Sequence, residues 1–339
     1  MKIGIDAMGG DHAPKEILLG VIESMKTNED IFYLYGNSEI ITKELVNHKN
    51  VSYERIQIIE SSDDITNEDK PVVAIKRKKN SSMVKGLMAL KNNEIDIFIS
   101  AGNTGALLAG GLLLVGRIKG FDRPALTSVY PHDKGIGLLV DAGANSEVKS
   151  NNLFDFAFMG SEYAKKVMDI ENPKVGLVNV GSEEGKGNAI YIDAYKLIKQ
   201  SNLNFVGNLE GRDIPDGKAD VIVADGFTGN IILKLSEGIA KTFSRVIKDS
   251  ISAPIVGKLA GLIIKRRIMI FKKKMDYTEY GGAALLGIKG ALVKAHGSSN
   301  AKAIKNAIKY GKKYVNSKVI ETILEEAQKR RENEDEPVS

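Results

Sequence analysis

Short apolar runs recur along the 339 residues, each closed by a turn rich in Gly, Asn and Asp and followed by residues at helical spacing. No other feature restricts the fold as much. The first run, residues 2–6, leads into Ala7-Met8-Gly9-Gly10-Asp11-His12-Ala13-Pro14. Pro14 suits a first helical turn, and Ile17, Leu18, Val21, Ile22 and Met25 then recur with helical periodicity. Further strands are predicted at 31–35, 57–59, 96–100, 126–130, 137–140, 174–180, 204–206 and 220–224. Helices are predicted over 106–118 and 153–168, with a long helical stretch from about Asn300. Strands alternating with helices imply an α/β fold with a mostly parallel sheet and helices on both faces. Nearly continuous apolar strands fit a sheet covered on both sides. Ligands in such folds bind at the carboxyl ends of strands, so the Gly/Asn/Asp turns are expected to share one polar floor.

Composition narrows the function. There is no cysteine, which excludes a disulfide scaffold, a thiolate metal site and a cysteine nucleophile. Hydrophobic residues are 43%, enough for a large core. Residues 1–330 are read as a single large α/β catalytic domain and 331–339 as a polar flexible tail. The longest weakly polar run, 106–116, is far short of the ~20 residues of a membrane span, and Asp6 interrupts any export signal at the start. A cytoplasmic protein is expected. The net charge is +5 although the last nine residues carry four acids and one arginine, so the body is more basic still. Such a body suits acidic partners: nucleic acid, anionic lipid, phosphate or an acidic protein.

Several turns could carry chemistry. Gly102-Asn103-Thr104-Gly105 joins a strand to a helix start, where unpaired N–H groups favour an anion. Gly181–Asn188 sets Lys186 among Gly181, Gly185 and Gly187, and a lysine there can reach a phosphate or a developing oxyanion. The spacing is not that of a Walker A loop. In Asp225-Gly226-Phe227-Thr228-Gly229-Asn230, Asn230 either caps a helix or donates to a substrate oxygen. His12 and His296 are candidate general acids or phosphate ligands. Glu279–Ala283 reads as a Gly-rich turn opening a short apolar helix. Lys76-Arg77-Lys78-Lys79 offers a face to an acidic protein.

Residues 250–276 read as a protruding amphipathic helical segment. Positions 253–275 carry seven cations and no acid. Ile255, Leu259, Leu262 and Ile263 share one helical face, flanked by cations that include Lys265 and Arg266. This pattern suits the interface of an anionic bilayer.

Taken together, these stretches resemble the bacterial phosphate acyltransferases of phospholipid synthesis (PlsX). The resemblance rests on Asp6–Asp11, Lys79-Asn80-Ser81-Ser82-Met83, Ser100–Ala106, Gly116-Arg117-Ile118-Lys119-Gly120, Asn179-Val180-Gly181, Lys186-Gly187-Asn188, Asp225–Asn230 and Lys294-Ala295-His296-Gly297-Ser298-Ser299, in order over residues 1 to about 320. It implies a three-layer Rossmann-like fold similar to the isocitrate/isopropylmalate dehydrogenases and phosphotransacetylases. It also implies transfer of a fatty acyl group from acyl carrier protein to inorganic phosphate, with no metal or nucleotide cofactor. The acyl phosphate then feeds a glycerol-3-phosphate acyltransferase in the membrane. The chain is accordingly expected to be a homodimer in peripheral contact with membrane and not to bind nucleic acid. Lys186 is expected to meet the developing charge and Asn230 to orient the reacting group. Phosphate or substrate is expected near Asp6, Gly9, Gly10, His12, Ser82, Asn103, Thr104, Gly105, Gly181, Asp225, Thr228 and His296. Two other readings stay open: a nicotinamide-dependent dehydrogenase on a similar fold, and a basic module binding nucleic acid.

Overall fold

The computed structural model describes residues 1–48, 53–251, 279 and 281–335. Its strands are β1 (Lys2–Asp6), β2 (Ile31–Gly36), β3 (Ile56–Glu60), β4 (Ile97–Ser100), β5 (Ala125–His132), β6 (Gly135–Val140), β7 (Val175–Val178), β8 (Phe205–Leu209), β9 (Val221–Val223), β10 (Ala283–Leu286) and β11 (Ala291–Lys294). They form one sheet in the order β3-β2-β1-β4-β11-β10-β5-β6-β9-β7-β8. Pairing is parallel within β3-β2-β1-β4-β11 and within β6-β9-β7-β8. It is antiparallel at β11/β10, β10/β5 and β5/β6. The two parallel blocks therefore run in opposite directions, joined through β10 and β5. The turns that close the strands do not all lie on one edge, so a single polar floor is not formed.

The helices are α1 (Lys15–Met25), α2 (Ser38–Val46), α3 (Pro71–Arg77), α4 (Ser82–Lys91), α5 (Thr104–Gly110), α6 (Ser150–Val167), α7 (Ala189–Lys199), α8 (Gly226–Ile251), α9 (Ala301–Asn316) and α10 (Val319–Asp335). They cover both faces of the sheet, which β4 shows directly. Ile97 and Ile99 enter one buried cluster, with Ile17 of α1 and Ile304 of α9. Phe98, between them, enters another with Met83 and Leu87 of α4 and Leu107 of α5. The period of two in a strand puts neighbours on opposite faces, so a strand buried on both must be apolar throughout.

Three expectations are corrected. The helix predicted over 106–118 starts earlier, at Thr104, and opens into a π-helical turn at Gly111–Gly116. The Gly-rich turn at 279–283 leads into β10, not a helix. The long C-terminal stretch is two helices, broken at Lys318, whose φ of 54° no helix accommodates. Helix α10 runs from Val319 to Asp335. Its Arg330 donates to Asp155 at 2.6 Å and lies 4.6 Å from the ring centre of Phe121. The amphipathic reading of 250–276 falls mostly outside the described residues, and with it Ile255, Leu259, Leu262, Ile263, Lys265 and Arg266.

Candidate active site

A cavity of about 260 Å³ opens where the two blocks of the sheet meet. Strand β5 supplies one wall from Leu126 to Pro131, and α8 supplies the other. The cavity side of α8 carries Asn230, Leu233, Lys234, Glu237 and Ala240, spaced three and four apart so that they share one face. Thr104 at the start of α5 and residues from Lys294 to Ser299 after β11 complete the lining. Tyr130 of β5 and Ser236 of α8 share a hydrogen bond of 2.9 Å that ties the walls together.

The start of α8 is fixed by its neighbours. Asp225 accepts from the Thr228 N–H at 2.9 Å and the Thr228 hydroxyl at 2.8 Å, and the Tyr191 hydroxyl donates to it. Asp225 is thus the cap of this helix, and Asn230 is not. Burial, then the bond to Asp225, pushes the Tyr191 hydroxyl above its ordinary range. A Cβ on Gly229 would sit 2.0 Å from the Asp141 carbonyl oxygen, so only glycine lets α8 approach this closely. Asp141 in turn holds its own turn together. It accepts from the N–H groups of Gly143, Ala144 and Asn145 and from the Asn145 amide, at 2.7–3.2 Å. Burial raises its carboxyl despite those bonds. Asp141 was not legible as a site residue, yet its turn brings Gly143 against Asn230.

At the other end, Asp6 is buried and accepts from Ser82 and Ser100, each at 2.6 Å. Burial pushes its carboxyl up, against the pull of those hydroxyls. Ser100 also accepts from the Gly102 N–H at 3.0 Å. Gly9 packs so closely here that a Cβ would lie 2.5 Å from Asp6 and 2.7 Å from the Gly102 nitrogen. Asp6, Ser82, Gly9 and Gly10 therefore support the Gly102–Gly105 turn from beneath and do not line the cavity. Asn103 caps α5 through Ala106 N–H and donates to the Thr66 carbonyl. Gly105 packs against Pro71. Of that turn, Thr104 reaches the cavity.

His296 lines the cavity, with Nδ1 2.9 Å from the Ser298 hydroxyl. Burial and then the Lys234 charge lower its basicity below the ordinary histidine range. His12 is exposed on the loop before α1 and is not in the lining. Lys186 is exposed too, 3.9 Å from Glu183, on the loop that Gly181 opens and Asn188 closes by capping α7. It does not line the cavity, but α7 carries Tyr191, which reaches Asp225 at the start of α8. The structure therefore gathers Asn230, Thr104 and His296 in one cavity and sets Lys186 on a neighbouring loop. Lys294, quoted in a motif but not read as a site residue, lines the cavity and is 9% exposed. Among the described residues no group of three or more His, Asp or Glu side chains forms a metal-ligand set, and no helix is long and apolar enough to cross a membrane.

The 11-stranded sheet covered by helices on both faces defines an α/β fold, and the solved structures it resembles share it. A phosphotransacetylase from Streptococcus pyogenes superposes with a TM-score of 0.58 at 16% identity, covering 95% of this chain and 94% of that one. A 4-hydroxythreonine-4-phosphate dehydrogenase from Klebsiella pneumoniae gives 0.51 at 11%, covering 93% and 99%. At such identities the likeness is one of fold. Sequence is more specific. The model of the family described as "Fatty acid synthesis protein" matches residues 1–322. The phosphate acyltransferase of Alkaliphilus oremlandii is 55% identical over 325 residues, 96% of this chain and 97% of its own. That of Clostridioides difficile is 48% identical over 341 residues, 99% and 100% of the two chains. The chain belongs to this family of phosphate acyltransferases.

Proposed function

We propose that this chain moves a fatty acyl group from the thioester of acyl carrier protein to inorganic phosphate. A phosphate oxygen attacks the thioester carbon, the new C–O bond forms as the C–S bond breaks, and the departing thiolate takes a proton. Acyl phosphate and free carrier protein leave. No covalent enzyme intermediate is needed, so the absence of cysteine is no obstacle. The protein's task is to place an anion within ~3–3.5 Å of the thioester carbon and to stabilise the oxyanion that develops.

The observation that carries this reading is the placing of Asn230. Its amide stands exposed on the cavity side of α8, and its helix is capped by another residue, so it is available to substrate. In this reading Asn230 donates to the thioester oxygen and Thr104 helps hold phosphate. Leu126, Val129 and Leu233 supply an apolar wall for the first carbons of the acyl chain. Lys186 swings from its loop towards the developing charge. The basic segment at 250–276 rests on anionic lipid, and the product passes to a glycerol-3-phosphate acyltransferase there. The chain acts as a homodimer. A row of exposed apolar residues on α8 away from the cavity, Phe227, Ile231, Leu235, Ile239 and Phe243, supports that assembly.

The test is acyl phosphate formation by purified protein from palmitoyl-acyl carrier protein and phosphate, trapped with hydroxylamine. Hydroxamate that depends on phosphate, without added metal or nucleotide, is expected. Its absence from folded protein with sound carrier protein would reject the reading.

A further inference from the structure

Among the described residues, Lys294 is a buried cation with no anion in hydrogen-bonding or ion-pair contact with it. It ends β11, a strand between β4 and β10 in the middle of the sheet, and the residue is 9% exposed and lines the cavity. Its ammonium donates to the backbone carbonyl of Ala101 at 3.2 Å and to that of Ala295. These two neutral groups are its hydrogen-bond partners among the described residues. Asp6 and Asp11 act on it from beyond contact, and Lys234 across the cavity opposes them. Asp6 already receives a hydroxyl on each oxygen, from Ser82 and Ser100. A buried ammonium is costly unless an anion answers it. An ammonium also has three donors, and two are used.

We propose that Lys294 is the residue that seats phosphate in the cavity, giving its remaining N–H to a phosphate oxygen. The cavity supplies what such a seat requires. It is open to solvent, so the anion can enter and leave. Thr104 and His296 lie in the same lining, and Lys234 adds a second positive charge opposite the first. The carbonyls of Ala101 and Ala295 fix the ammonium before the anion arrives, so little ordering is left for binding to accomplish. The acyl chain meets the apolar stretch of β5, and the phosphate meets the lysine end. The proposal deepens the reading of phosphate as acyl acceptor and rests on it, but anion binding is measurable without any acyl donor, so the two fail separately.

The experiment is calorimetric titration of the full chain with inorganic phosphate alone, beside steady-state kinetics in which phosphate and acyl-carrier protein are varied in turn. Lys294→Gln is expected to weaken phosphate binding about 10- to 100-fold, the usual scale for losing a charged hydrogen bond, and to raise the KM for phosphate while leaving that for the acyl donor unchanged. Lys294→Arg, which keeps the charge, is expected to lose less. Burial lowers Lys294 to about 8, so wild-type affinity is also expected to fall between pH 7.5 and 9. Burial and the Lys234 charge already hold His296 below the ordinary histidine range, so it is neutral over that interval. This arm needs no variant and decides the matter if Lys294→Gln does not fold. Phosphate binding equal to wild type in folded Lys294→Gln, or no fall in affinity across that pH range, overturns the proposal. Wild type that binds phosphate through Lys294 yet makes no acyl phosphate would keep the seat and reject the proposed reaction.

Discussion

Lys294 has a consequence for stability as well as for binding. Its ordinary range lies near 10.5, and burial brings it to about 8 in the folded chain. Between those values the unfolded lysine holds a proton that the folded one has released, so stability rises with pH across that window. The cost of the buried charge is therefore present below pH 8, on the order of 3 kcal/mol. Chemical denaturation at pH 7.5 and pH 10 is expected to show that gain in wild type and not in Lys294→Met. Asn230 makes a different prediction, because its side chain has no hydrogen-bond partner among the described residues that its loss would strand. Asn230→Ala is expected to leave the melting temperature within a degree or two and to lower kcat about 100-fold, the scale of one oxyanion donor. A stopped assay on folded variant checks both. The motif around Lys294 was legible, but its depth was not. A lysine after three apolar residues looks like the exposed end of a strand, and only the placement of β11 between β4 and β10 buries it.

The next scale is that of α8. Its cavity face is apolar and polar by turns, its outer face carries the exposed row from Phe227 to Phe243, and its first turn depends on Gly229. Gly229→Ala is expected to push the helix off the Asp141 turn, lower the melting temperature by several degrees and cut activity by moving Asn230. Circular dichroism melts and the acyl phosphate assay on the same sample test this. Asp225→Ala removes the cap and is expected to cost about 1 kcal/mol, read by denaturant midpoint. Strands β4 and β9 were legible because Ile97-Phe98-Ile99 and Val221-Ile222-Val223 are unbroken apolar runs, each followed shortly by a glycine, Gly102 and Gly226. Strands β10 and β11 were not. Each has four residues, three of the eight being alanine, with no period to separate strand from helix. Their state comes from pairing with β4 and β5, which lie far away in sequence. The same limit applies to the site. The turns that hold Thr104 and Asn230 declared themselves, but the opposed directions of the two blocks, which decide which turns meet, are a property of those two unremarkable strands.

At the scale of the whole molecule, two surfaces remain to be tested. Leu235→Asp on the outer row of α8 is expected to shift the chain from dimer to monomer in sedimentation velocity; an unchanged dimer would show that this row is not the interface. Leu259→Glu, in the basic segment, is expected to abolish flotation with anionic vesicles and to leave turnover of soluble substrate intact. The topology also sets an order of events. Strand β4 reaches β5 only through β11 and β10, which begin at Ala283. Without them the sheet is two separate pieces, β3-β2-β1-β4 and β5-β6-β9-β7-β8, with no hydrogen-bonded seam between them. A ribosome that has made four-fifths of this chain has not yet made β10, β11 or the Lys294–Ser299 wall of the cavity. The last strands to be synthesised act as a keystone: they join the two halves and bring Lys294 and His296 to the cavity.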